Sequence, residues 1–90
     1  MKRDLIIDVR EQVRQFIAEN FYVSDAAAIE DDTSLISNGY VDSTGMLEVI
    51  TFLEERYGIS IGDTEMTTAN LETIGRIAGF VARKQGREPA

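Results

Sequence analysis

Ninety residues carry sixteen carboxylates against nine cations, a net charge of −7, with no cysteine and no histidine. Disulfides, a zinc–thiolate centre, a thiol nucleophile and the commonest general base near neutral pH are therefore excluded. An acidic chain repels phosphate backbones, which disfavours nucleic acid, and favours basic protein surfaces.

The charge is unevenly placed. Between Glu30 and Glu65 stand nine acids and one base, Arg56, while seven acids and eight bases lie outside. No run is long and apolar enough to span a membrane, so membrane insertion is not expected. The start, "MKRDLIIDVREQ", acquires charge too early for a secretory segment, and a cytoplasmic, monomeric protein is expected. The length suits one domain over 1–90, with a helical core over about 4–84 and a fraying tail over 85–90.

With one proline, Pro89, and no alternating β-branched run, the chain reads as all-α. Leu5, Val9, Val13 and Phe16, widened by Ile6 and Ile17, predict a first helix over about Asp4–Glu19, with Asp4 or Asp8 suiting its dipole. Residues 20–42 form a long connection pegged by Phe21, Val23, Ile29, Leu35, Ile36, Tyr40 and Val41. Within it, "DDTSL" offers one short helical turn capped by Asp32 or Thr33.

The second helix is expected over Ser43–Tyr57. Its stripe is Met46, Leu47, Ile50, Leu53 and Tyr57, broadened by Val49 and Phe52, with Glu48, Glu54 and Glu55 toward solvent. Gly58 should end it as a left-handed cap, and Ile59 and Ile61 should return to the core. A weakly specified third helix falls in "GDTEMTTAN". Asn70 is the expected cap of a last helix over about Leu71–Lys84, with a stripe of Leu71, Ile74, Ile77, Ala78 and Val81, Phe80 at its edge, and Arg83 and Lys84 in its last turn. Gly75 and Gly79 should permit a close helix approach. The expectation is a four-helix bundle: three long helices, a short third one and a long first loop.

One motif stands out, "GYVDS" over 39–43. Taken alone, Asp42-Ser43 is a helix start, because both side chains satisfy free backbone N–H groups. Its setting says more. The serine follows a pegged loop, opens the second helix, lies in the acidic stretch and precedes "TGMLEVITFLEERYGISI". From about Leu5 to Lys84 this arrangement resembles the acyl carrier protein family, whose signature is a Gly-x-Asp-Ser-Leu-type motif at the same helix start.

The resemblance implies that Ser43 is the attachment point of 4′-phosphopantetheine, transferred from coenzyme A by a Mg²⁺-dependent phosphopantetheinyl transferase. The group's thiol would carry an acyl cargo as a thioester, so the protein itself is not expected to be an enzyme. Asp42 would support the transferase encounter, serve as a helix cap, or both. Glu48, Glu54 and Glu55 would meet basic grooves on partners, or simply solvate the helix. The partners implied are an activating ligase, synthases or acyltransferases of fatty acid, lipid or secondary-metabolite biosynthesis.

The sequence departs from the pattern at Thr44, which replaces an apolar residue after the serine and bears on partner contact, and at Tyr40-Val41, Gly45 and "GDTEMTTANLETI". Tyr40-Val41 and Gly45 are similar to D-alanyl and some peptidyl carriers, and "GDTEMTTANLETI" is similar to stand-alone carriers serving a dedicated ligase, so an aminoacyl carrier served by such a ligase is the alternative. Large side chains filling the bundle are expected to leave no cavity for cargo. Two further readings stay open: an unmodified acidic module docking a basic partner, and a serine hydrolase. The last is weakened by the absence of histidine and of a G-x-S-x-G elbow.

Overall fold

The computed structural model describes residues 9–86, which form helices and turns with no strand among them. Helix α1 runs Val9–Asn20, α2 Ser43–Tyr57, α3 Thr68–Leu71 and α4 Ile74–Lys84, with 3₁₀ turns at Ala26–Ala28 and Asp63–Glu65. The expected bundle of three long helices and one short one is what forms. Leu5, Ile6, the helix start near Asp4 and Asp8, and the tail beyond 86 lie outside the described residues.

The core joins Val13 and Ile17 of α1, Val49 and Leu53 of α2, and Ile74, Ile77 and Val81 of α4, all fully buried. The loop contributes Ile29, Leu35 and Val41, equally buried, so these three pegs are part of the core, while Phe21, Val23 and Tyr40 are half-buried and Ile36 is exposed. Each such side chain adds about 1.5–3 kcal/mol of burial, an upper figure before chain entropy is set against it. An aromatic ladder seals α1 to α2. Phe16 stacks on Phe52 at 4.2 Å, with Phe21 and Tyr57 meeting that pair edge-on at 6.3 and 6.2 Å.

Several expectations need correction. Asn70 caps nothing; it lies inside α3, donating to the Glu65 carbonyl at 2.9 Å and accepting from Arg83 at 3.1 Å. Leu71 closes α3, and α4 starts afresh behind Thr73, whose Oγ1 accepts the Arg76 N–H at 3.1 Å. "DDTSL" makes no helical turn. The helical turn of the loop is Ala26–Ala28, capped by Asp25, while Thr33 Oγ1 accepts the Glu30 N–H and ties a tight turn instead. Phe80, expected at the edge, is buried.

Gly75 makes room not for a helix but for the loop. Its N–H donates to the Asp31 carbonyl at 2.9 Å, and a β-carbon there would sit 3.3 Å from that oxygen. A β-carbon on Gly79 would meet only ordinary contacts. With the Leu35 N–H on the Glu72 carbonyl at 2.9 Å and the Ser34 hydroxyl on the Glu72 carboxylate, these bonds bolt the loop to the α3–α4 junction. Arg14 fixes its other side, donating to the Ile29 carbonyl at 2.7 Å and pairing with Asp31. A loop bolted on both sides presents the start of α2 in one place.

Candidate functional site

Helix α2 begins as the sequence expects. Asp42 is extended, with φ −94° and ψ −179°, and its Oδ1 accepts the Gly45 N–H at 2.6 Å. The ladder opens with the Met46 N–H on the Asp42 carbonyl at 2.8 Å. The N–H groups of Ser43 and Thr44 precede that ladder and have no partner within the helix, so the dipole and two donors favour an anion here. Ser43, the first helical residue, is exposed. Its hydroxyl sits where a phosphodiester would be welcome.

Gly45 explains the geometry of this turn. It is buried, and a β-carbon on it would lie 2.6 Å from the ring of Phe21 and 3.0 Å from Asp42 Oδ1. No larger residue leaves both the ring and the cap where they are.

A groove of about 320 Å³ opens beside Ser43, at the lower end of ligand-pocket sizes. Its apolar wall is Ile36, Met46, Leu47, Met66 and Leu71; Ser37, Thr67, Thr68 and Glu72 supply the polar edge. Two expectations change with it. Leu47 is not core but 55% exposed, whereas Val49, expected only to broaden the stripe, is fully buried. And space for an apolar group lies at the surface, between α2, α3 and the loop. Ile36 and Met66 are its other exposed apolar residues. The sequence signal was available: six apolar residues between Met46 and Leu53 exceed what one helix face can bury.

Thr44, Glu48 and Glu55 are exposed on α2. Glu54 is half-buried rather than solvent-facing, and its carboxylate accepts the Ile61 N–H at 2.8 Å. That bond clamps the chain leaving α2, below the cap where Gly58, at φ 65°, donates to the Glu54 carbonyl. No group of three or more potential metal-ligating side chains occurs among the described residues, and no helix there is long and apolar enough to cross a membrane.

Known proteins resemble this chain over most of its length. The family model for the phosphopantetheine attachment site matches residues 11–81. The chain is 28% identical to the acyl carrier protein of Lactobacillus acidophilus, over 88% of this chain and 95% of that one. It is 30% identical to the D-alanyl carrier protein of Abiotrophia defectiva, over 84% and 95%. It is 32% identical to polyketide-8 synthase acyl carrier protein 2 of Streptomyces avermitilis, over 66% and 67%.

Proposed function

Since the chain belongs to the acyl carrier protein family, defined by its phosphopantetheine attachment site and carrying covalent 4′-phosphopantetheine, we propose that Ser43 is the acceptor and that the protein holds an acyl group for partner enzymes. The observation that carries this reading is the exposed Ser43 hydroxyl as first residue of α2, behind the Asp42 cap and ahead of two unpaired helix N–H donors.

The residues present fit the group. Its phosphate would take the N–H groups of Ser43 and Thr44 and the positive end of α2. When bound, the group supplies a thiol that holds cargo as a thioester. In loading, the Ser43 hydroxyl loses its proton, the Ser43 Oγ–phosphorus bond forms, and 3′,5′-ADP departs from coenzyme A. The transferase, with its Mg²⁺, performs this step, because the carrier has no histidine or cysteine. Asp42 holds the helix start still. Thr44, Glu48, Glu54 and Glu55 meet basic surfaces of the transferase, ligase, synthase or acyltransferase, with Glu54 also serving its own helix exit.

The cargo reading is an acyl group of fatty acid, lipid or secondary-metabolite biosynthesis in the cytoplasm. A D-alanyl or other aminoacyl cargo is the second reading. Similarity to the D-alanyl carrier favours it. Incubation of the apo protein with coenzyme A, Mg²⁺ and a broad-specificity transferase, followed by intact mass, tests the acceptor. One phosphopantetheine should be gained, and none by Ser43→Ala; a gain that survives Ser43→Ala overturns the assignment. Protein purified without any adduct from its own cells would favour an unmodified module.

A further inference from the structure

Asn38-Gly39 is the chain's one Asn-Gly step, and it sits in the turn that leads into Asp42 and Ser43. Both residues are exposed, and a β-carbon on Gly39 would meet nothing within 4 Å. Such a step has a reaction of its own. The Gly39 amide nitrogen gives up its proton and bonds to Asn38 Cγ; the Cγ–Nδ2 bond breaks, and ammonia leaves with that proton. The five-membered succinimide that results takes up one water. Opening at Cγ yields aspartate. Opening at the main-chain carbonyl yields isoaspartate, with the chain now routed through the side chain. Glycine is the neighbour that permits this best, because no β-carbon shields its nitrogen.

The fold engages both reacting groups. Gly39, at φ 77°, donates its N–H to the Ile36 carbonyl at 3.0 Å. Asn38 Nδ2 donates to the Ser34 carbonyl at 2.8 Å. The Tyr40 and Val41 N–H groups both reach the Leu35 carbonyl, at 2.9 and 3.1 Å. The Gly39 and Tyr40 bonds are the pair with which a helix closes on a left-handed glycine. Nucleophile and leaving group are thus each tied to a carbonyl, and the ring forms only when the turn opens. The anchors of the turn are the Ser34 hydroxyl on the Glu72 carboxylate and the Leu35 N–H on the Glu72 carbonyl.

We propose that Asn38 is a site of spontaneous deamidation, guarded by this turn and released when the turn opens, and that its isoaspartate product misplaces the start of α2. The second half rests on Ser43 as the acceptor. Isoaspartate adds one carbon to the main chain between Leu35 and Val41, two pegs that are fully buried. Either the bonds to the Leu35 carbonyl or the Val41 peg must give, and the Asp42 cap follows directly.

Full-length protein aged at mildly alkaline pH, folded and in guanidinium chloride beyond its unfolding midpoint, tests the site. Peptide mapping locates each product and enzymatic isoaspartyl methylation counts it. Modification at Asn38 should be about ten- to hundred-fold slower in the folded chain, the protection that two net hydrogen bonds give. Asn20 and Asn70, which precede Phe21 and Leu71, should lag behind Asn38 in the unfolded chain. Ser34→Ala loses the hydroxyl anchor on Glu72 and should deamidate about two- to five-fold faster than wild type when folded, and at the same rate when unfolded. No product at Asn38 in the unfolded chain overturns the site. Equal rates folded and unfolded overturn the guard, and a folded rate that Ser34→Ala does not move overturns the Ser34 anchor as part of it.

The isoaspartyl fraction of aged protein, separated by chromatography, is then loaded by a broad-specificity transferase beside fresh wild type and Asn38→Asp, which carries the new charge on a native main chain. The isoaspartyl fraction should load about ten-fold more slowly, since a misplacement on the order of 1 Å costs up to about a hundred-fold. Asn38→Asp should load as wild type does. An isoaspartyl fraction loading at the wild-type rate, or an equal loss in Asn38→Asp, overturns the misplacement of α2. Fresh wild type that gains no phosphopantetheine overturns the acceptor reading and the effect on loading with it, while the rates at Asn38 still decide the site.

Discussion

Phe21 closes over Gly45 so tightly that a β-carbon on the glycine would stand 2.6 Å from the ring. The contact ties the last turn of α1 to the first turn of α2, and so ties the position of Ser43 to the packing of the aromatic ladder. The same absent β-carbon would also lie 3.0 Å from Asp42 Oδ1, the cap that receives the Gly45 N–H.

Gly45→Ala sets two effects against each other. Alanine gains about 1 kcal/mol of helix propensity over glycine. Forcing a methyl into a filled site costs roughly 1–3 kcal/mol, and here it also presses on the cap. Packing should win: thermal or urea unfolding should report a loss of about 1–2 kcal/mol. Phe21→Leu in the same chain should recover part of that loss, because the smaller side chain vacates the contact. Simple additivity of the two changes would show that the ring is not what excludes the methyl.

Arg14 should be irreplaceable by lysine. Its guanidinium donates from Nε to the Ile29 carbonyl and pairs separately with Asp31 and Glu11, and its side chain is 14% exposed. An ammonium cannot span three such partners. Arg14→Lys leaves the Ile29 carbonyl without this donor, at a cost of about 2 kcal/mol, within the range for bonds to charged groups. Because Ile29 and Leu35 are core residues on the loop, proteolysis within 21–42 should accelerate in this variant. Unchanged cleavage would mean that the Gly75 and Glu72 bonds alone hold the loop.

Leu47 and Val49 reverse the roles that periodicity gives them, and substitution should show it. Leu47→Gln removes an exposed apolar side chain from the groove and should change stability by less than about 0.5 kcal/mol. Val49→Ala opens a hole in a fully buried site and should cost about 2 kcal/mol. If Leu47→Gln proves the more damaging to folding, the groove is a closed part of the core.

How far the chain could be read from its sequence depended on which interactions were local. Asp42, Ser43 and Gly58 are legible because a cap, a helix start and a left-handed stop each need only their own neighbours. The error at Asn70 has the same origin. A capping residue before an apolar stripe is a good local signal, but the break at Glu72-Thr73 comes from the loop, whose Leu35 N–H takes the Glu72 carbonyl and whose Asp31 carbonyl takes the Gly75 N–H. Those partners are some forty residues apart, beyond any periodicity. The apolar groove was hidden for a related reason: Ile36, Leu47 and Met66 come from three segments that only the folded chain brings together.

Glu65 provides a pH-dependent contact at the far end of the chain. Its carboxylate accepts the Gly62 N–H at 2.9 Å and both oxygens lie 3.0 Å from Lys84 Nζ, joining the turn before α3 to the last turn of α4. The Gly62 bond first, then the Lys84 bond, hold its pKa below the ordinary 4.5. A carboxyl whose pKa is lowered by folding stabilises the fold in full above its unfolded value, and that contribution fades as pH falls through the lower folded value. The stability difference between wild type and Glu65→Gln should therefore be constant from neutral pH down to the ordinary carboxylate range and should shrink below it. Urea unfolding of both proteins across that range checks the sign. A difference that grows on acidification would mean that the Gly62 and Lys84 contacts do not favour the charged form.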